Sequence, residues 1–182
     1  MYNKSEVEWN NKNLPKTKKT VLLALFFSMC VILSYLEHML PPIPFFPPGA
    51  KLGLSNIFVM YSLIFIGKRE AFMLAVLKGL FVFLIRGMTA GFLSLTGGLF
   101  SVLVMCFVLV LLKDKSTYVI LSVFGAIFHN IGQFIAVSFI IGSFALMIYL
   151  PVLIIFGIFA GIATAAVLSF VIPAFVRILL QG

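Results

Sequence analysis

The chain has 182 residues, of which 63% are hydrophobic and 10% are charged, and its formal net charge is +8. A globular domain in water carries about 25% charged residues, so this composition excludes a soluble enzyme, a coiled coil and a disordered tail. The basic residues stand in short clusters between apolar runs, which indicates orientation in a membrane rather than binding of nucleic acid. We therefore expect an integral membrane protein with no nucleic acid among its partners.

Residues 1–19 are mostly polar and carry charges of both signs, which predicts a flexible cytoplasmic N-terminal tail. The remainder, residues 20–182, is predicted to be a single transmembrane domain. A helix needs about 20 apolar residues to cross roughly 30 Å of hydrocarbon, and the apolar runs supply six such crossings. The prediction is an all-α bundle of six transmembrane helices at about residues 20–40, 52–66, 71–85, 92–112, 118–141 and 151–180.

Three segments join these helices on the side opposite the chain termini. Five of the eight prolines fall in residues 41–48, which predicts a stiff, extended loop because proline continues neither a helix nor a sheet. The segment at residues 87–98 is rich in Gly, Ser and Thr and is predicted to include an irregular stretch before the fourth helix. Residues 141–150 are predicted to contain an apolar loop or a short interfacial helix.

The distribution of Lys and Arg predicts that both termini are cytoplasmic. With the N-terminus inside, ten of the thirteen basic residues lie on the inner side of the membrane. The outer segments hold only Lys51 and Arg86, and Lys78 lies within a helix. An excess of basic residues in cytoplasmic segments is the pattern that orients membrane proteins.

Several polar residues are not needed for this topology and lie at mid-membrane or toward the outer side. A charge at the centre of the bilayer costs about 2.5–3.5 kcal/mol on insertion scales, so it usually faces a partner or a water-filled cavity. We therefore predict a binding site for a small-molecule substrate. Its candidate residues are Glu37, His38, Lys51, Asn56, Lys78, Arg86, His129, Asn130 and Gln133.

Structural alternatives remain for the residues inside the helices. Lys78 lies midway along the third helix, and its long side chain could instead snorkel to the nearest membrane surface. His129, Asn130 and Gln133 have the spacing of one helix face, which could equally form an interhelical hydrogen-bond clamp. Sequence alone leaves both alternatives open.

The candidates at the outer side also have alternatives. Glu37 and Lys51 could form a surface ion pair across the proline loop, and Arg86 could bind lipid headgroups or helix carbonyls. If they line a cavity together with Lys78, three positive charges face one negative charge. A desolvated cationic cavity favours an anionic ligand, such as a carboxylate or phosphate.

No sequence motif of catalysis or metal binding occurs in the chain. A P-loop, the HExxH pattern and an acidic cluster for Mg²⁺ are all missing from a sequence with only five acidic residues. Cys30 and Cys106 lie within apolar runs and are interpreted as buried hydrophobic residues. We predict no catalytic residue, no cofactor and no metal site, and the chain is not expected to hydrolyse ATP by itself.

Small residues recur on two helices. Gly157, Gly161 and Ala165 stand at every fourth position of the last helix, a spacing that lets helix backbones approach closely. Packing inside the bundle is the expected role of this series. Ala24 and Ser28 form a shorter pair near the cytoplasmic end of the first helix, where a partner helix could dock.

Three segments of the chain are distinctive: PPGAKLGLSNI at 47–57, GKRE at 67–70 and SLTGGLFS at 94–101. They resemble the Gx transporter family, whose members carry the label heptaprenyl diphosphate synthase component I. More distantly, residues 20–180 are similar to the membrane substrate-binding subunits, called S components, of bacterial energy-coupling factor (ECF) importers. The resemblance implies a six-helix bundle with both termini inside and an outward pocket covered by the loops after helices 1, 3 and 5.

The resemblance also implies partners. They are a transmembrane coupling protein, which docks on a small-residue motif of the first helix, and two cytoplasmic ATPases. Ala24 and Ser28 occupy the matching positions, although alanine is usual at both. We therefore predict a substrate-binding subunit of an importer, surrounded by lipid in the bacterial plasma membrane. Its substrate is expected to be small, anionic and partly apolar, either vitamin-like or isoprenoid-related.

An alternative function is that of a non-catalytic membrane partner of a heptaprenyl or polyprenyl diphosphate synthase. The basic pocket would then bind a prenyl diphosphate. The two functions predict different protein partners, because an importer subunit joins a coupling protein and ATPases, whereas a synthase partner joins a soluble enzyme.

Overall fold

The computed structural model describes residues 15–39, 53–144 and 148–181. In these ranges the chain forms six α-helices and no strand, and a 3₁₀ turn at Lys113–Lys115 joins the fourth helix to the fifth. The observed helix bounds lie within about four residues of the predicted ones. The helices are α1 (Lys16–Met39), α2 (Asn56–Phe65), α3 (Lys68–Arg86), α4 (Met88–Leu112), α5 (Tyr118–Ile141) and α6 (Leu150–Gln181).

Four of these helices are long and apolar enough to cross a membrane. Among the described residues they are Lys16–Glu37, Met88–Leu112, Tyr118–Ile141 and Leu150–Ser169. This confirms the prediction of an all-helical, multi-pass membrane architecture. The ten residues of α2 span only about 15 Å, so six complete crossings and two cytoplasmic termini stay predictions.

The short helix α2 lies at the centre of the bundle and contacts each of the other five helices. Eight of its ten side chains are buried, because the helix is apolar on all sides. Tyr61 stacks on Phe65 with ring centroids 4.4 Å apart, and it meets the edge of Phe26 of α1 at 5.0 Å. This packing holds the C-terminal half of α2 inside the protein.

The predicted irregular stretch within residues 87–98 is wrong, because α4 begins directly after Gly87 and continues as a helix. Gly87 alone takes the positive φ of 84° that turns the chain between α3 and α4. The other glycines allow close helix contacts: a Cβ on Gly91 would lie 2.5 Å from the Cα of Phe83. In a membrane helix, small residues more often bring backbones together than break the helix.

The small residues of α6 pack against α5. A Cβ added to Gly161 would lie 2.5 Å from the Cα of Val123, and one on Gly157 would lie 3.0 Å from the Cα of Ile127. Ala165 of the same series is also buried. The stripe therefore serves packing inside the bundle.

Candidate functional site

A cavity of about 290 Å³ opens between α1, α3, α4, α5 and the turn that precedes α2. Its walls are formed by the C-terminal parts of α1, α3 and α5 and by the first residues of α4, so the cavity lies toward one end of the bundle. Five of the predicted site residues line it, and they are Glu37, Lys78, Arg86, His129 and Gln133.

Lys78 lies in the middle of α3, and its side chain is directed into the bundle. Only 5% of the residue is exposed, and its ammonium donates a 2.6 Å hydrogen bond to the Oδ1 atom of Asn56. Asn56 is the first residue of α2, so the position of that helix inside the bundle places the acceptor oxygen next to Lys78. The lysine therefore stays inside the protein and does not snorkel to a lipid-facing surface.

Glu37 lies near the C-terminal end of α1 and faces the same cavity. Its Oε1 atom accepts a 2.6 Å hydrogen bond from the backbone N–H of Leu54, in the turn before α2. The first N–H groups of a helix have no partner within the helix, and a carboxylate is stabilised by the positive end of the helix dipole. The interaction ties the end of α1 to the start of α2.

Arg86 is the last residue of α3 and is half-buried at the cavity. Within the described ranges its guanidinium group has no hydrogen bond or ion pair with another side chain. The five N–H groups of arginine match the geometry of a carboxylate or phosphate. This side chain therefore places donors of that geometry at the cavity.

His129 and Gln133 reach the cavity from α5. His129 is 3% exposed, and Gly97 of α4 makes room for both side chains. A Cβ on Gly97 would lie 2.8 Å from the Cγ of Gln133 and 2.9 Å from the ring of His129. The Nδ1 atom of His129 lies against Gly97 and has no partner with hydrogen-bond geometry in the described part of the chain.

The third polar residue of this group, Asn130, faces a different side of α5. Its Nδ2 atom donates a 3.1 Å hydrogen bond to the carbonyl of Leu153 in α6, and it is not among the residues that line the cavity. The predicted trio is therefore divided between the cavity and a helix contact. Of the other predicted site residues, Lys51 and the side chain of His38 lie outside the described residues.

Sequence reasoning did not single out several hydroxyl groups at the cavity. Ser34 precedes Glu37 by one turn of α1, and Thr89 and Ser94 belong to the segment that was expected to be irregular. Hydroxyl residues are common in membrane helices, so their presence alone indicates no site. If α4 had been predicted to begin at Met88, Ser94 would have been placed on a helix beside α3.

The described cavity lining combines two cations with one carboxylate. Lys78 and Arg86 outnumber Glu37, while Val82 and Leu93 add apolar surface. No group of three metal-ligating side chains occurs among the described residues. Apolar walls with a few convergent polar groups are typical of small-molecule sites, and the charge balance favours an anion.

The predicted docking pair lies away from the cavity, on the outer surface of α1. Among the described helices α1 contacts only α2 and α3. Leu23, Phe26 and Cys30 form its buried stripe, whereas Ala24 and Ser28 are exposed. The Ser28 hydroxyl donates to the Ala24 carbonyl at 3.0 Å, and these two small residues form an exposed strip on this helix.

A comparison with protein families matches residues 26–171 to a family described as heptaprenyl diphosphate synthase component I. The match covers all of α2 to α5 and most of α1 and α6. No curated protein and no solved structure matches the chain.

Proposed function

The chain belongs to the heptaprenyl diphosphate synthase component I family, and we propose that it is a membrane subunit that captures a small anion for import. The chain itself is not an enzyme. The proposal rests on one observation, the cavity at which Glu37, Lys78, Arg86, His129 and Gln133 meet. We propose the bacterial plasma membrane as its location.

We propose a role for each of these side chains. Lys78 and Arg86 bind the negative group of the ligand, because a buried cation gains most from a charged hydrogen-bond partner. His129 and Gln133 orient the ligand through hydrogen bonds, and the apolar walls bind its hydrocarbon part. Asn56 holds the Lys78 ammonium until the ligand arrives.

Transport requires partners that supply energy, because the sequence has no nucleotide-binding motif. We propose a transmembrane coupling protein and two cytoplasmic ATPases. The exposed strip at Ala24 and Ser28 supports this proposal, since small residues let a second helix approach α1 closely. The exposed apolar side chains elsewhere on the helices face membrane lipid.

The family description favours a second candidate function, that of a membrane partner of a prenyl diphosphate synthase. In that case the cations of the cavity would bind the diphosphate end of a prenyl chain. The soluble synthase would carry out the reaction, and the membrane subunit would hold the substrate or the product.

Purification of the tagged full-length chain from its own host distinguishes the two functions. An importer subunit should bring with it a coupling protein and two ATPases, identified by mass spectrometry, and cells should accumulate the ligand that remains bound. Replacing Ala24 and Ser28 together with Leu should remove these partners without changing ligand binding, whereas the control Val21→Leu on the same helix should retain them. Copurification of a prenyl synthase, with a change in its product length, would favour the second function.

A further inference from the structure

The charges around the cavity limit the charge of its ligand. In the described lining, the basic residues are Lys78 and Arg86 and the acidic residue is Glu37, a formal balance of two positive charges to one negative charge. A ligand with a single negative charge therefore balances the formal charge of the described lining. A diphosphate brings more negative charge than these three groups balance, and uncompensated charge is costly where screening is weak.

Glu37 is held in place at the cavity by the turn before α2. Its Oε1 atom binds the backbone N–H of Leu54 at 2.6 Å, and it makes no ion pair with either cation in the described residues. Lys78 and Arg86 nevertheless line the same cavity as this carboxylate. An incoming anion is thus attracted by two groups and repelled by a third that is fixed in place.

The size of the cavity adds a second limit. Its volume of about 290 Å³ is just below the range of roughly 300–1,000 Å³ for small-molecule sites. A complete heptaprenyl chain exceeds this space. The part of a ligand that the described lining encloses must therefore be compact.

We propose that the cavity selects compact anions with one negative charge, and that Glu37 is the residue that excludes multiply charged ones. The inference rests on the proposed binding function and names its substrate class, a small organic carboxylate or similar monoanion. It also predicts that prenyl diphosphates are poor ligands.

Three anions that share one prenyl group and differ in charge test this selectivity: 3-methyl-2-butenoate, dimethylallyl phosphate and dimethylallyl diphosphate. Their dissociation constants are measured by calorimetry on the full chain in detergent, at pH 7 and constant ionic strength. We expect the carboxylate to bind about tenfold or more tightly than the diphosphate. Glu37→Gln, which keeps an oxygen acceptor for Leu54, should shift this ratio toward the diphosphate by about tenfold.

Glu70→Gln is the matched control, because it removes the same charge from the first turn of α3, at the opposite end of that helix from Arg86. It should leave the ratio unchanged. A diphosphate that binds wild type as tightly as the carboxylate, or a ratio unaffected by Glu37→Gln, overturns the inference. In that case Lys78→Met still separates the two proposals. If this variant binds the anions more weakly than wild type, the proposed function stands. If wild type binds none of the anions, or if Lys78→Met does not weaken binding, both proposals are overturned.

Discussion

At the scale of single residues, the structure explains how a lysine is tolerated in the middle of a membrane helix. Lys78 is buried and donates to Asn56, so part of the cost of leaving water is recovered by a charged hydrogen bond. The amide oxygen satisfies one ammonium proton without neutralising the charge. In the proposed function, the remaining positive charge binds the ligand in the adjoining cavity.

Replacing Lys78 with Met should lower the affinity for the bound anion by about tenfold or more, equivalent to about 1.4 kcal/mol. Methionine keeps most of the volume and removes the charge, so expression and folding should be retained. Native mass spectrometry of the purified protein measures the fraction that carries its ligand. Lys68→Met, at the first residue of α3, is the control; unchanged binding by Lys78→Met would remove Lys78 from the site.

Asn130→Ala should destabilise the protein without weakening ligand binding. The variant loses the hydrogen bond to the Leu153 carbonyl that joins α5 to α6. Hydrogen bonds between membrane helices contribute about 1 kcal/mol, so thermal unfolding in detergent should occur at a lower temperature. Gln133→Ala should show the opposite pattern, because Gln133 lines the cavity. Loss of ligand binding with unchanged stability in Asn130→Ala would contradict this division.

At the scale of the elements, glycines determine how closely the helices pack. Gly97 makes room for two site residues of α5, and Gly161 lets α6 approach the backbone of α5. Gly98, in contrast, has room for a side chain, because a Cβ added there would lie at an ordinary contact distance of 3.6 Å from the Cβ of Ala75. Helical glycines of this bundle therefore have two different structural roles.

Gly161→Ala should destabilise the bundle by about 1–3 kcal/mol, the usual cost of overpacking. The added methyl group meets the backbone of Val123, which can yield only if the two helices separate. Gly98→Ala is the matched control and should be neutral or stabilising, because alanine favours a helix by about 1 kcal/mol over glycine. Thermal unfolding of both variants measures the difference, and equal stability would contradict the close contact.

At the scale of the whole molecule, the cavity lies toward the end of the bundle opposite the basic residues that follow α2 and α4. Lys68 and Arg69 follow α2, and Lys113 and Lys115 follow α4. If those residues face the cytoplasm, as basic residues usually do, the cavity faces the outside. A binding subunit for import needs this orientation.

Labelling of single cysteines tests the orientation. Met88 is 75% exposed at the first position of α4, and Thr117 is exposed before α5. With Cys30 and Cys106 replaced by Ser, a membrane-impermeant maleimide should label Met88→Cys in intact cells and Thr117→Cys only after permeabilisation. The reverse pattern would place the cavity on the cytoplasmic side and contradict import.

The sequence by itself determined the class of the protein, because a chain with long apolar runs and few charges is stable in a membrane and not in water. It also identified Glu37, Lys78, Arg86, His129 and Gln133, since the cost of placing polar groups in hydrocarbon makes them conspicuous. The sequence could not determine which of the predicted polar side chains come together in the folded protein.

Only the tertiary structure separated Asn130 from His129, because a helical face is defined by the neighbours that pack on it and not by spacing alone. It also showed that the glycine-rich start of α4 is helical, since whether glycine breaks a helix or brings two together depends on the presence of a partner helix. Long-range packing around the buried α2 brought the separate polar residues to one cavity. No local pattern in the sequence encodes contacts between residues that are far apart in the chain.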